Sequence, residues 1–192
     1  MKIAMLVLAA GKASRMGSVK QLLPYKNSSI LGTVLESSIK VFNSEDIYVV
    51  LGANAQKIKE NLQNYTVNCI INEDFASGLS SSIYSGVTKL SNYDAILIAL
   101  GDQPKIDVTY INEMVTLYQK NKEFIVASRY DGFNGVPAIF PKTFYPKLLN
   151  LTGDKGAKQL LNSELNFIKT VASSGKLLDI DTPEDYQKLI NP

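Results

Sequence analysis

The chain contains no histidine, one cysteine and only two arginines among its 20 basic residues. The first absence excludes the most. Without imidazole there is no Ser-His-Asp or Cys-His nucleophile system and no His-ligated zinc or iron centre. Chemistry must rest on carboxylates, lysines, backbone dipoles and a hard metal ion. That inventory suits phosphate-transfer catalysis, in which positioning and charge neutralisation dominate and no obligate base is needed. The lone Cys69, inside the apolar run VNCII, excludes an intrachain disulfide framework; it reads as a small core residue and fits a reducing compartment. No stretch reaches the roughly 20 apolar residues of a membrane-spanning helix. Lys2 and the short apolar run ending in Ala-Ala-Gly share features with a signal peptide, but the run is short and makes better sense as a first strand, so a cytoplasmic protein is expected. A net charge of +2 with interspersed signs argues against a surface that coats nucleic acid.

What is present is a chain of 192 residues, 45% hydrophobic, long enough to bury a sizeable core and most simply folded as one domain over 1–192. Its organising stretch is 3–24, IAMLVLAAGKASRMGSVKQLLP. Residues 3–8 read as a strand buried on both faces, since such strands appear as continuous aliphatic runs in parallel sheets. The small residues Ala9, Ala10 and Gly11 let a ligand approach the backbone, and Gly11 can take a positive φ. Successive N–H groups in such a turn make an anion-binding concavity, with Arg15 and Lys20 as cationic donors at its rim. One of the only two arginines therefore sits in a phosphate cradle. No Gly-Lys-Ser/Thr closes it as in a Walker A loop, and the dinucleotide pattern G-x-G-x-x-G is missing.

The remaining chain alternates strands and helices. Ser29 can cap a helix over 30–42; a strand at 46–51, a helix at 53–62 and a strand at 67–71 follow. Gly78 and the following serines can open a helix running to Leu90, with hydroxyls and free N–H groups exposed at its start. The run 93–100, YDAILIAL, is the most apolar strand and is expected at the centre. A helix spans 107–120 with Val108, Ile111, Val115 and Leu117 inward, then come a short strand at 124–128, a Gly-rich turn and the segment 136–140. Asp154 can cap a helix that sets Lys155 and Lys158 on an early turn. At 177–181 a strand with Asp179 and Asp181 on one face precedes a helix capped by Thr182 with Pro183 at its first position. The pattern predicts a three-layer α/β/α sandwich with a mainly parallel, Rossmann-like sheet, and some antiparallel pairing after residue 124. In open sheets ligands bind beyond the carboxyl ends of the strands, so Asp102, in Gly-Asp-Gln-Pro, should emerge beside the cradle. A carboxylate there would repel phosphates unless a cation intervenes, and Mg²⁺ is typically held by one or two carboxylates together with substrate phosphates.

LAAGKASRMGSVKQLLP resembles the signature LAAGxSxRMGxxK of the MobA/MocA-like nucleotidyltransferases, and GDQP resembles that family's GDxP metal motif. The family's Ser falls on Ala13, with Ser14 beside it. The resemblance covers nearly the whole chain and implies the fold type of the nucleotide-diphospho-sugar transferases. It implies nucleotide binding by Leu8, Ala9, Ala10, Gly11, Arg15 and Lys20, with Asn72, Gly78 and Ser81 or Ser82 flanking base and ribose. Acceptor binding falls to Gly135, Val136, Pro137, Lys155 and Lys158, where Val136 replaces a His often found in cytidylyltransferases of this group. Metal ligands would be Asp102 and, from the closing motif DIDTPEDY, Asp181 in preference to Asp179; catalytic roles fall to Arg15, Lys20 and Asp102.

The expected reaction is Mg²⁺-dependent transfer of a nucleoside monophosphate to an acceptor, with release of pyrophosphate. LAAG with GDQP looks most like the molybdenum cofactor cytidylyltransferases, which join CTP to molybdopterin; the guanylyltransferase branch more often begins LAGG, with Gly for Ala10. Expected partners are CTP, molybdopterin or another phosphorylated acceptor, and a molybdenum enzyme or its chaperone, with no nucleic acid and no membrane. Cytidylyl or uridylyl transfer to methylerythritol phosphate or a sugar phosphate is the enzymatic alternative. A noncatalytic nucleotide-binding regulatory domain is the alternative of another class.

Overall fold

A computed structural model describes residues 1–13, 15–173 and 175–191. A seven-stranded sheet in the order β5-β4-β1-β6-β8-β7-β9 forms the middle layer. Its strands are β1 (Ile3–Ala9), β4 (Ile47–Leu51), β5 (Asn68–Ile71), β6 (Ala95–Leu100), β7 (Ile125–Arg129), β8 (Asn134–Pro141) and β9 (Ile168–Ala172). The short pair β2 (Pro24–Tyr25) and β3 (Ser28–Ser29) forms a separate hairpin. Strand β8 runs antiparallel to β6 and β7, while the other pairings in the large sheet are parallel. The expected central strand is β6, the fourth of the seven, and antiparallel pairing does begin after residue 124.

The period of two along β1 divides the core. Met5, Val7 and Ala9 pack on one face with α1 (Ile30–Ile39), α2 (Ala55–Asn61) and α4 (Val108–Lys120). Ala4, Leu6 and Leu8 pack on the other with α3 (Leu79–Lys89), α5 (Tyr145–Leu149) and α6 (Lys158–Ser163). Both faces of the strand are dry, which is why its sequence does not alternate. Helix α3 lies tight against β1, where a Cβ at Gly86 would meet Leu6 Cδ1 at 2.7 Å and Cγ at 3.0 Å. Gly to Ala inside a helix ordinarily stabilises by about 0.5–1 kcal/mol. Here the sign reverses, because Leu6 is fully buried and cannot yield; Gly86→Ala should lower stability by roughly 1–3 kcal/mol in urea unfolding.

A third cluster positions the site. Met16 and Ile30 pack with Ile180 and with Leu189 of α7 (Pro183–Ile190), joined by the partly buried Ala13, Leu178 and Tyr186. It fastens the C-terminal segment against the loop that follows β1. The Ile180 N–H donates to the Asp102 carbonyl at 3.1 Å, and the Tyr186 hydroxyl donates to the Pro24 carbonyl at 2.8 Å.

Several local expectations need correction. Residues 177–181 form no strand: among the described residues no neighbouring strand supplies a ladder, and the segment runs past the site with the Ile180 N–H on the Asp102 carbonyl and the Asp181 N–H on Asp185 Oδ2. The buried face of α4 is Tyr110, Ile111, Met114 and Tyr118, whereas Val108, Val115 and Leu117 are only half-buried. Asp154 lies in a 3-10 turn, Gly153–Lys155, and α6 begins at Lys158 without a side-chain cap. The caps at Ser29, which accepts from the Gly32 N–H, and at Thr182, in a reciprocal box with Asp185, are as expected.

Candidate active site

A cavity of about 590 Å³ opens at the carboxyl ends of β1 and β6. Leu8, Ala9, Ala10, Gly11, Lys12 and Arg15 form one wall. The loop does not turn at Gly11, which has no positive φ; among the described residues of the loop, Ala13 (φ 52°) and Gly17 (φ 68°) are left-handed. Among the described residues, a Cβ at Gly11 would meet nothing within 4 Å, so the backbone stands open to a ligand. Ser14 lies outside the described residues. The loop is tied back by Gln21, buried, whose Nε2 donates to the Ala9 carbonyl at 3.3 Å.

Beneath the loop, charge is concentrated. Lys20, in the 3-10 turn Lys20–Leu22, sends its ammonium between two carboxylates, donating to Asp102 Oδ2 and, at 2.7 Å, to Asp181 Oδ1. Arg15, largely exposed, reaches Asp181 Oδ2 at 3.4 Å. Asp179 lines the same cavity and accepts from Gln103 Nε2 at 2.7 Å. Burial pushes the Asp102 carboxyl above its ordinary value; Lys20 opposes the rise and the charge of Asp181 adds to it. Burial, then the charge of Asp102, likewise raises Asp179 against the Gln103 hydrogen bond. For Lys20 burial works downward, but its two carboxylate partners outweigh burial and hold the ammonium above its ordinary value. The two directions agree physically, because Lys20 faces two anions while Asp102 shares one cation with two other carboxylates.

These residues fit a divalent cation. Four carboxylates, Asp102, Asp154, Asp179 and Asp181, line the cavity against three cationic side chains, Lys12, Arg15 and Lys20, an excess of acidic groups. The described residues hold no group of three or more His, Cys, Asp or Glu side chains arranged around a metal. Two carboxylates completed by substrate phosphate and water is the arrangement Mg²⁺ favours.

The other expected site residues divide. Gly78, which leads into α3 with φ 102°, and the buried Ser82 line the cavity. Asn72 and Ser81 do not; they line a separate polar cleft. Asn72 is buried, and its Nδ2 ties Ser81 Oγ at 2.9 Å and Ser82 Oγ at 3.1 Å, so these hydroxyls are spent on holding α3 to the end of β5 rather than exposed. Gly135, Val136, Lys155 and Lys158 line a smaller, mainly apolar cavity of about 200 Å³, which shares Leu8, Leu79, Leu100 and Asp179 with the first. Pro137 is buried outside it; its carbonyl accepts from Ser128 Oγ at 2.7 Å.

A profile of the MobA-like NTP transferase domain matches residues 5–168. The chain belongs to this family. Nicotine blue oxidoreductase of Paenarthrobacter nicotinovorans is 28% identical, over 96% of this chain and 94% of that protein. Purine catabolism protein PucB of Bacillus subtilis is 32% identical over 93% and 91%, and the Escherichia coli molybdenum cofactor cytidylyltransferase is 24% identical over 94% and 92%. Among solved structures, the manganese complex of Rv0371c from Mycobacterium tuberculosis superposes with a TM-score of 0.83 at 27% identity, covering 99% of this chain and 98% of that one. The family thus places a nucleotidyltransferase fold on this chain.

Four further residues, Gln103, Tyr130, Phe133 and Phe75, contribute without having been expected from the sequence. Gln103, fully buried, donates from one amide nitrogen to Asp179 and to the Tyr130 hydroxyl at 2.9 Å. Tyr130 and Phe133 stack at 4.8 Å between centroids and form a wall of the smaller cavity, with Lys158 Nζ 3.6 Å from the centre of the Phe133 ring. Phe75 lines the larger cavity, with Lys12 Nζ 5.7 Å from its ring centre. Two aromatics spaced three residues apart in a Gly-rich turn, YDGFNG, are the signal that could have found the platform.

Proposed function

We propose that the protein transfers a nucleotidyl group, CMP from CTP, to a phosphate-bearing acceptor of the molybdopterin kind, with release of pyrophosphate. The observation that carries this reading is the gathering of Lys20, Asp102 and Asp181 under an open loop backbone in one cavity. The open backbone at Gly11 receives the triphosphate, and Arg15 holds its outer phosphates. Lys20 neutralises charge developing on the α-phosphate as the acceptor oxygen attacks in line. Asp102 and Asp181 would hold Mg²⁺, which supplies Lewis-acid polarisation of the phosphoryl oxygens when bound. The acceptor lies in the smaller cavity with its anionic group at Lys155 and Lys158. A phosphate monoester brings its own nucleophile, so the absence of histidine is no obstacle. The molybdenum cofactor cytidylyltransferase among the relatives supports both CTP and this acceptor.

The test is magnesium-dependent pyrophosphate release from each of the four ribonucleoside triphosphates, with and without molybdopterin, in the wild type and in Asp102→Ala. Release with CTP plus molybdopterin alone, lost in the variant, is the expected outcome. Release only with methylerythritol phosphate or a sugar phosphate would replace the acceptor. Nucleotide binding without release under any condition would leave a noncatalytic binder.

A further inference from the structure

We propose that Lys20 is the resident counter-ion of the Asp102–Asp181 pair, and that a divalent cation loads there only by displacing it. Metal entry and release of the Lys20 ammonium toward the nucleotide phosphates are then one event. This rests on the nucleotidyl-transfer reading and adds an order of binding to it.

Carboxylate oxygens are what an arriving cation must find at this pair. The two side chains present four. Asp102 Oδ2 and Asp181 Oδ1 are both held by Lys20 Nζ, and Asp181 Oδ2 is paired with Arg15 at 3.4 Å. The fourth, Asp102 Oδ1, is sealed from solvent and has no hydrogen-bond partner among the described residues. A cation arriving through the cavity can therefore reach Asp102 only at Oδ2, which Lys20 already occupies. Lys20 is itself buried, 8% exposed, so its ammonium cannot retreat into bulk water without leaving the site. Two cations on the same oxygens repel each other at close range in a medium less polar than water. Lysine suits the exchange, being a compact charge on a flexible four-carbon stem. Its backbone is fixed in the turn Lys20–Leu22, so the displaced head stays within the cavity, where a bound triphosphate is the anion able to receive it.

Two consequences follow. Without nucleotide the pair binds a divalent cation weakly, because the displaced ammonium has no anionic partner. With nucleotide the two ligands favour each other, by the same factor in each direction.

The experiment measures Mn²⁺ binding to the nucleotide-free protein by the loss of the free-ion electron paramagnetic resonance signal, at one fixed pH for every variant. Wild type, Lys20→Met and Lys20→Met/Asp102→Asn are compared. Lys20→Met is expected to bind Mn²⁺ at least tenfold more tightly than wild type, and the double variant to lose that gain. Equal or weaker binding by Lys20→Met overturns the displacement while leaving a metal site in place. Absence of binding in every variant, and in the wild type with a non-hydrolysable CTP analogue, overturns the metal reading itself. Should Lys20→Met not fold, Lys20→Gln is measured the same way. In the wild type, the Lys20 ammonium ¹H–¹⁵N signal should move and lose its protection as Mg²⁺ saturates; a signal that stays unchanged at saturation refutes the exchange.

Discussion

Replacing Lys20 with Met is expected to destabilise the protein by about 3 kcal/mol at pH 7 and to slow nucleotidyl transfer by roughly 10³-fold. The stability loss comes from what remains behind. Asp102, whose side chain is 16% exposed, keeps its burial but loses its cation, with Asp179 and Asp181 lining the same cavity. Removing one partner of a buried pair typically costs about 3–5 kcal/mol, because the other charge is left uncompensated. The lower end applies here, since the Asp102 carboxyl is already pushed upward by burial and escapes part of the cost by taking up a proton. The loss should therefore shrink as the buffer is made more acidic. Asp102→Asn placed on top of Lys20→Met should recover most of the lost stability and none of the activity. Urea unfolding of the two single variants and the double variant reads this coupling directly. If Lys20→Met unfolded at the wild-type midpoint, the ion pair would be a solvated contact rather than a buried one. The rate loss follows from removing one preorganised donor aimed at developing charge, worth about 10²–10³-fold in comparable settings, together with the misplacement of Asp102.

The parts of this arrangement that were legible in the sequence are those in which composition answers to one cause. Strands β1 and β6 are buried on both faces, so their aliphatic runs identified the first as a buried parallel strand and the second as central, and the carboxyl-end rule then put Asp102 near the cradle. Thr182-Pro183 marked the start of α7 because a cap and a proline at the first helical position act locally. Where two causes act on one residue, the sequence misled. Gly11 was a candidate for a positive φ, yet it takes none and faces open space among the described residues, and a left-handed residue falls at Ala13. Asn72 and Ser81, set beside base and ribose by the resemblance alone, line a separate cleft and also serve to fix α3. Residues 177–181 had the apolar pattern of a strand because Leu178 and Ile180 pack into the third cluster, which needs burial but no ladder. Strand β9 went unread for the opposite reason: it is an edge strand, and its Lys169 and Thr170 are exposed. The smaller cavity is assembled from β6, α3, α6 and the Tyr130–Phe133 turn, a juxtaposition that belongs to the tertiary fold.

The second large effect is expected from Asp102→Asn, which should abolish transfer, by 10³-fold or more, while making the metal-free protein more stable than wild type at pH 7. The sign follows from linkage. An aspartate in the unfolded chain titrates near about 3.9. In the folded protein burial raises that value, even with Lys20 bound, so the folded state holds the proton more tightly than the unfolded state. Such a group favours folding below its unfolded value, and the benefit is lost as pH rises through the folded value. Above the folded value the wild type therefore carries the cost of an ionised, buried Asp102, and Asn, a neutral side chain of the same shape, removes it. Thermal unfolding from pH 4 to pH 8 should show the wild type and the variant converging at the acid end, with the variant pulling ahead as the buffer becomes more alkaline. Mg²⁺ should then close the gap from the other side, raising the melting temperature of the wild type more than that of Asp102→Asn. A variant that is less stable than wild type across the range would mean that the attraction of Lys20 exceeds the burial cost, and that Asp102 holds the fold together rather than straining it. If the expected order is found, the carboxylate is kept for chemistry at the expense of stability, and the orphaned Oδ1 is the structural trace of that compromise.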